Sequence, residues 1–248
     1  EKIVFHGNNK SDKEIEFAVR NNIKLIVDND YDLQRLEEIS NSSNRDLEIM
    51  IRFTPGIECH THEYIRTGSF DSKFGFGIEY LNILFDRISK TKHLNLKGLH
   101  AHIGSQIFEL DPHKDLGEIM VNVILDAKKF GHHIQKLNVG GGLGIKYTEN
   151  DDPPSIDEWV KTISTSVVKA CKKHNLDLPT LMCEPGRSIV STAGITIYRI
   201  GSFKEIPGIR TYLSVDGGMS DNPRPITYQS DYSACLVNNP LNINSKNK

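Results

Sequence analysis

The sequence predicts an α/β fold: a parallel sheet with a helix after each strand, in the manner of a (β/α) barrel, followed by the start of a β domain. Three observations carry this. Short apolar runs alternate with amphipathic helical segments from Ile3 to Glu184, giving six βα units, and regular alternation of this kind makes a parallel sheet with right-handed crossovers. Three of the runs end in glycine and polar residues: LHAHIGS at 99–105, KLNVGGGLG at 136–144 and CEPGR at 183–187. Loops of this type gather catalytic groups at the C-terminal ends of barrel strands. After Gly194 the rhythm stops, and the β-type runs Ile195–Ile206 and Arg210–Val215 have no helix between them. The expected division is a partial barrel over 1–194 and the beginning of a β domain over 195–248.

The elements follow from local pattern. Ile3–Gly7 is a short strand closed by glycine, and Ser11 or Asp12 caps a helix running to about Asn21. Leu25–Asp28 is the second strand, and Asp32–Ser40 carries Leu33, Leu36 and Ile39 at helical spacing. Leu47–Phe53 is the third strand, with Arg52 near its end and Pro55 stopping it. Residues 54–77 are far longer than the usual connection of about 4–6 residues and hold His60, His62, Arg66 and Lys73, so they are expected to roof a site. A helix at Leu81–Ser89 and a fourth strand at Leu96–Ile103 follow. A helix at His113–Phe130 is ended by Gly131. Leu137–Val139 is the fifth strand, Ser155–His174 a helix capped by Ser155, and Leu181–Glu184 the sixth strand. The polar stretch 238–248 is expected to fray.

Composition narrows the function. A hydrophobic share of 38% with 25% charged residues allows a sizeable core, and a net charge of -2 with both signs interspersed lacks the basic stripe that nucleic acid requires. No apolar run approaches the roughly 20 residues of a membrane span. The four cysteines, Cys59, Cys171, Cys183 and Cys235, lie far apart without a zinc-type spacing. Free thiols in a reducing cytoplasm, no structural metal and small-molecule chemistry are the expectation. The chain opens without Met and enters a strand within two residues, which reads as an internal segment of a longer protein rather than a signal peptide. The Gly140-Gly141-Gly142 backbone can turn its amides around an anion, and the absence of a Walker lysine speaks against a nucleoside triphosphate.

Seven motifs occur in a telling order: HGNNKS at 6–11, HTHEYIRTG at 60–68, DSKFGFG at 71–77, HAHIGSQ at 100–106, NVGGGLG at 138–144, EPGR at 184–187 and DGGMSDNPRPITY at 216–228. In this the chain resembles the fold-type III pyridoxal-phosphate (PLP) decarboxylases, and within them the branch acting on meso-2,6-diaminopimelate. The resemblance implies an alanine-racemase-like (β/α)8 TIM barrel, of which this chain holds strands three to eight, then a β domain, in a cytoplasmic homodimer with shared active sites. It implies pyridoxal 5'-phosphate as cofactor and release of CO2 from meso-diaminopimelate to give L-lysine, the last step of lysine biosynthesis. Related decarboxylases of carboxynorspermidine, arginine or ornithine, or a non-catalytic protein of this fold, are the alternatives.

The resemblance also assigns residues. The phosphate falls on Gly140, Gly141 and Gly142 with the Ser105 hydroxyl, and Gly186 and Arg187 complete the cofactor site. His102 stacks on the pyridine ring, while His100, on the same strand face but further from the rim, has a lesser supporting role. Glu184 faces the pyridine nitrogen and keeps it protonated. Arg52 steadies the ring-hydroxyl side, and an ion pair at the core edge explains it nearly as well. Arg187, Arg224 and Tyr228 match substrate positions, where guanidinium forks pair with a distal carboxylate that ornithine and lysine lack. The family's Tyr-Ala-x-Lys-Ala-Asn-like stretch, which supplies the Schiff-base lysine, does not occur here, nor does its Cys-Glu-Ser motif; both are expected outside this chain. Lys10, in a helix-start loop, reads as a solvated charge.

Overall fold

The structure, a computed structural model, describes residues 3–57 and 72–240. The 60–68 motif, most of the long connection expected to roof the site, and residues 241–248 lie outside them. The chain divides into two compact units, residues 1–144 with 153–188, and residues 145–152 with 189–248.

The first unit is the parallel sheet with its helices. Strands β1 (Val4–Phe5), β2 (Lys24–Val27), β3 (Leu47–Thr54), β5 (Leu94–His100), β6 (Lys136–Asn138) and β7 (Thr180–Met182) lie side by side in chain order. The two-residue β4 (Phe76–Gly77), inside the long connection and not foreseen, pairs with the end of β3. Helices α1 (Asp12–Arg20), α2 (Asp30–Ser43), α3 (Leu81–Ser89), α4 (Asp111–Lys129) and α5 (Ile156–Lys173) fall where the periodicity puts them. α1 and α5 each start in a reciprocal cap, Ser11 with Glu14 and Ser155 with Glu158, which satisfies amide donors that a helix start leaves open. α2 stops at Asn44 in the left-handed conformation, φ 49°. The fourth and sixth strands end earlier than expected, at His100 and Met182, so the glycine and polar clusters that follow them are loop.

One continuous apolar core lies between sheet and helices. Ile26, Val27, Ile49, Ile51, Phe53 and Leu99 are buried in the strands, and Leu33, Leu84, Phe85, Met120 and Trp159 are buried on the helices. α4 and α5 approach so closely at Gly117 that a Cβ there would meet Ser166 Oγ at 2.7 Å. Under the same interface sits His113, 1% exposed, its ring edge-on to Trp159 at 5.6 Å, with neither ring nitrogen hydrogen-bonded. Burial alone pushes its pKa down to about 4.

At the C-terminal rim the polar residues are buried too. Lys10 is 3% exposed and its ammonium donates to Asp32 Oδ2 at 2.5 Å and to the Gly7 carbonyl at 2.7 Å. The reading of Lys10 as a solvated charge is thereby corrected: Asp32, on the first turn of α2, draws it inward. Asp32 Oδ2 also accepts the Asp28 amide at 3.0 Å. Asp28, just past β2, takes Asn8 Nδ2 at 2.8 Å on one oxygen and Arg52 Nη1 at 3.3 Å on the other.

The second unit contains an antiparallel hairpin of β8 (Ile200–Ile206) and β9 (Arg210–Val215), turning at Gly208 with φ 75°. The first of the two β-type runs thus begins at Ile200 rather than Ile195.

Two outcomes follow for the full-length protein. Asp32→Ala leaves the Lys10 ammonium buried without its counter-ion, which costs on the order of 3–5 kcal/mol; the urea midpoint should fall accordingly, and an unchanged midpoint would show that Lys10 escapes to water. His113 gives a pH dependence. Its folded pKa lies below its ordinary 6.5, so the unfolded chain binds the extra proton and stability drops as pH falls from about 6.5 to about 4. The share from this one group is on the order of 3 kcal/mol, and His113→Leu should flatten that slope in urea titrations run across the window.

Candidate active site

Parallel pairing lines up one row of residues across the sheet. Arg52 pairs with His100, His100 with Asn138, and Asn138 with Met182. Paired residues on parallel strands point to the same face, and two residues further the face recurs. The ladder continues past β7, with the Val139 amide bonded to the Met182 carbonyl at 3.0 Å and the Glu184 amide to the Gly140 carbonyl at 2.7 Å. Glu184 therefore joins the row of Arg52, His100 and Asn138 at the strand ends, where barrel enzymes hold their chemistry.

Glu184 is the centre of this row. Its Oε1 accepts Asn138 Nδ2 at 2.7 Å and lies 3.2 Å from His6 Nε2; its Oε2 lies 3.5 Å from His100 Nε2. Partial burial pushes the carboxyl up, yet the hydrogen bonds to His100 and His6 outweigh it and hold the group well below the usual carboxylate range. His100 is fully buried and its pKa is pushed down to about 4, first by burial and partly restored by Glu184. His100 thus touches the carboxylate directly, which gives the supporting role expected for it a partner.

His102 is half-buried beside the glycine loop. Its Nδ1 accepts the Gly141 amide at 3.2 Å, which puts any ring proton on Nε2. Burial first, then the positive charge of Arg52, pushes its pKa to about 4, so the ring is neutral at neutral pH. The loop itself is close-packed. A Cβ on Gly141 would meet the Glu184 carbonyl oxygen at 2.5 Å, and Gly142 has φ 108°. Of the three amides expected to wrap an anion, two donate within the protein: Gly140 to Asn138 Oδ1 at 3.0 Å and Gly141 to His102.

Arg187, opening the short helix α6 (Arg187–Val190), donates from Nε and Nη2 to Ser105 Oγ at 3.1 and 2.9 Å. Two donors on its lone pairs leave the Ser105 hydroxyl to give its own hydrogen outward. Arg52 is buried, paired with Asp28 and placed 4.4 Å over the Phe74 ring; burial lowers its pKa, and it remains a cation. The ion pair expected for Arg52 is present and anchors it at the rim. A Cβ on Gly186 would meet nothing within 4 Å. Arg224 and Tyr228 lie in the second unit, where the guanidinium sits 5.6 Å from the ring across the short helix α7 (Arg224–Thr227).

His6 and Asn138 were not singled out from sequence, although both stand in quoted motifs. Their signal was position: each is the polar residue at or just past the C-terminal end of a short strand. His6, His100 and Glu184 bring ligand atoms within 4.8 Å of one another, a spacing a divalent cation can use. The Asn138 amide hydrogens aimed at the same carboxylate disfavour a cation there.

A family model described as the pyridoxal-dependent decarboxylase pyridoxal-binding domain matches residues 1–191. A diaminopimelate decarboxylase from Synechocystis is 56% identical over 96% of this chain and 51% of its own length, and one from Bacillus subtilis is 41% identical over 96% and 55%. The chain spans about half the length of the curated relatives it matches. A solved structure of diaminopimelate decarboxylase from Helicobacter pylori complexed with L-lysine superposes with a TM-score of 0.83 at 32% identity, over 94% of this chain and 56% of that one. The chain belongs to the pyridoxal-dependent decarboxylase family.

Proposed function

We propose that the full-length protein is a carboxy-lyase that releases CO2 from meso-2,6-diaminopimelate to give L-lysine. The observation that carries the reaction class is the ionised Glu184 at the rim. A carboxylate held ionised can keep a pyridine nitrogen protonated by a charge-assisted hydrogen bond, as an arginine in its place would not. The substrate rests on the diaminopimelate decarboxylases that this chain resembles most among those described above.

The residues present fit pyridoxal phosphate. The donor set is of the right chemistry: an anion for the ring nitrogen, a neutral imidazole beside it, and a hydroxyl paired with a guanidinium for the phosphate. Backbone approaches so tight that Cβ atoms would collide shape the floor. Ser105, Arg187, Gly186 and the 140–142 loop would hold the phosphate end, His102 the ring face, Arg52 the hydroxyl side and Glu184 the ring nitrogen. When bound, the cofactor supplies the electron sink that accepts the bonding pair as CO2 departs. The neutral ring of His102 packs a face without adding charge that would oppose the pyridinium. With the group bound, Glu184 would keep the ring-nitrogen proton in place, and Arg187, Arg224 and Tyr228 are the residues proposed for the substrate's distal carboxylate. A homodimer in the cytoplasm belongs to the same reading; among the described residues no helix is long and apolar enough to cross a membrane.

Two measurements test this. Glu184→Gln should retain the cofactor and lose decarboxylation by roughly 100-fold or more in single turnovers, a size typical of removing one preorganised electrostatic partner; an unchanged rate would give Glu184 another task. The wild-type enzyme should turn over meso-diaminopimelate and reject L-ornithine and L-lysine. Arg224→Ala should cost on the order of 2–5 kcal/mol, roughly 30-fold or more in kcat/KM, because a desolvated carboxylate loses its partner. Comparable turnover of ornithine by the wild type would sink the substrate assignment in favour of a related decarboxylase.

A further inference from the structure

We propose that His6 and His100 act as a two-pronged donor that orients the Glu184 carboxyl, with Asn138 as the third donor, so that one lone pair of Oε2 alone is left for the cofactor's ring nitrogen. The proposal deepens the reading of Glu184 above and rests on it for the identity of the final donor. The arrangement of the three donors does not depend on that reading.

The geometry fixes the proton positions. His100 Nδ1 is buried without a hydrogen-bond partner. A bare ring nitrogen there costs less than a stranded N–H, which places the proton of this neutral imidazole on Nε2, facing Glu184 Oε2. His6 Nε2 faces Oε1 of the same carboxylate. The two Nε2 atoms are 3.2 Å apart with rings nearly perpendicular, 78° between planes. Their closeness is that of a hydrogen-bonded pair whose direction the tautomers decide; with the hydrogen of His6 also on Nε2, the two N–H groups turn to separate oxygens of one carboxylate, as those of a guanidinium do. An ionised carboxylate offers about four lone-pair sites. Asn138 and His6 occupy Oε1, and His100 takes one site on Oε2.

The choice of imidazoles has a consequence that a guanidinium would not. The buried His100 ring, neutral at neutral pH, lowers the carboxyl's proton affinity without cancelling its charge, so that charge remains to attract a pyridinium. The other groups that act on Glu184 electrostatically are Arg52 from β3, His102 from the loop after β5, and the Cys183 thiol beside it. His6 and His100 are therefore positioning residues that work through Glu184.

The test uses the full-length protein with glutamate labelled at its carboxyl carbon, freed of cofactor, and follows the Glu184 signal by NMR against pH; the signal is identified by its loss in Glu184→Gln. His6→Phe keeps the ring's bulk and removes the donor, while His6→Gln restores an N–H. We expect the Glu184 titration midpoint to rise by about one pH unit or more in His6→Phe, a tenfold change in ionisation constant, and to return most of the way in His6→Gln. In the loaded enzyme kcat should fall roughly tenfold in His6→Phe with KM within about twofold, and the acid limb of the kcat profile should move up in parallel. If His6→Phe does not fold, the same comparison is made with His6→Ala. An unmoved Glu184 midpoint in a folded donor-less variant overturns the proposal, as does a shift that His6→Gln fails to rescue. A wild type that turns over no diaminopimelate while the midpoint shift persists would overturn the functional reading and leave the donor arrangement standing.

Discussion

Two buried carboxylates, Asp28 and Asp32, hold the rim together. They sit one helical turn apart at the junction of β2 and α2, and each has drawn in a cation from a neighbouring element: Lys10 from the loop after β1, Arg52 from the end of β3. Unpaired, any of the four would be costly to bury. Paired, they tie three strand ends into a fixed relation, and Asn8 extends the tie to the Lys73 carbonyl at 2.8 Å. His6 lies four residues before Lys10 in that clamped loop, so the donor that meets Glu184 is set by an ion pair that never approaches it.

The charge plan of the rim follows from this separation. The cations that lie deepest are consumed by aspartates. What faces Glu184 most closely is an amide and two imidazoles, one of which burial keeps neutral. A site meant to hold a protonated ring needs its anion undiluted, and the sheet gives Lys10 and Arg52 carboxylates of their own in Asp32 and Asp28.

How much of this could be seen in the chain beforehand depends on the kind of signal. The alternation of six apolar runs with helical periodicity placed nearly every strand and helix of the first unit, because a buried parallel strand and an amphipathic helix leave different periods. The loops were legible from glycine and polar clusters, and Glu184 and His102 from motif order. Lys10 was misjudged because local sequence cannot show that a carboxylate 22 residues away will meet it in the interior. The partner of His100 was hidden for a related reason: distance from the strand's end ranks residues along one strand, whereas its contact with Glu184 is made two strands across. Asn138 was hidden inside a glycine motif that drew notice to the glycines. The strand at Phe76–Gly77 is too short to leave a pattern.

The side-by-side chain order of the six strands bears on how the molecule comes into being. Each of these six strands pairs with the one before it in that order, so the sheet can lengthen unit by unit as the polypeptide emerges. Under such growth the clamp of Asp28, Asp32, Lys10 and Arg52 forms once the third strand is docked. Glu184 and Arg187 arrive on the last strand and the turn beyond it. The earlier part of the rim is then a scaffold waiting for its anion, so that a cofactor held through Glu184 would report that the described strands have come together.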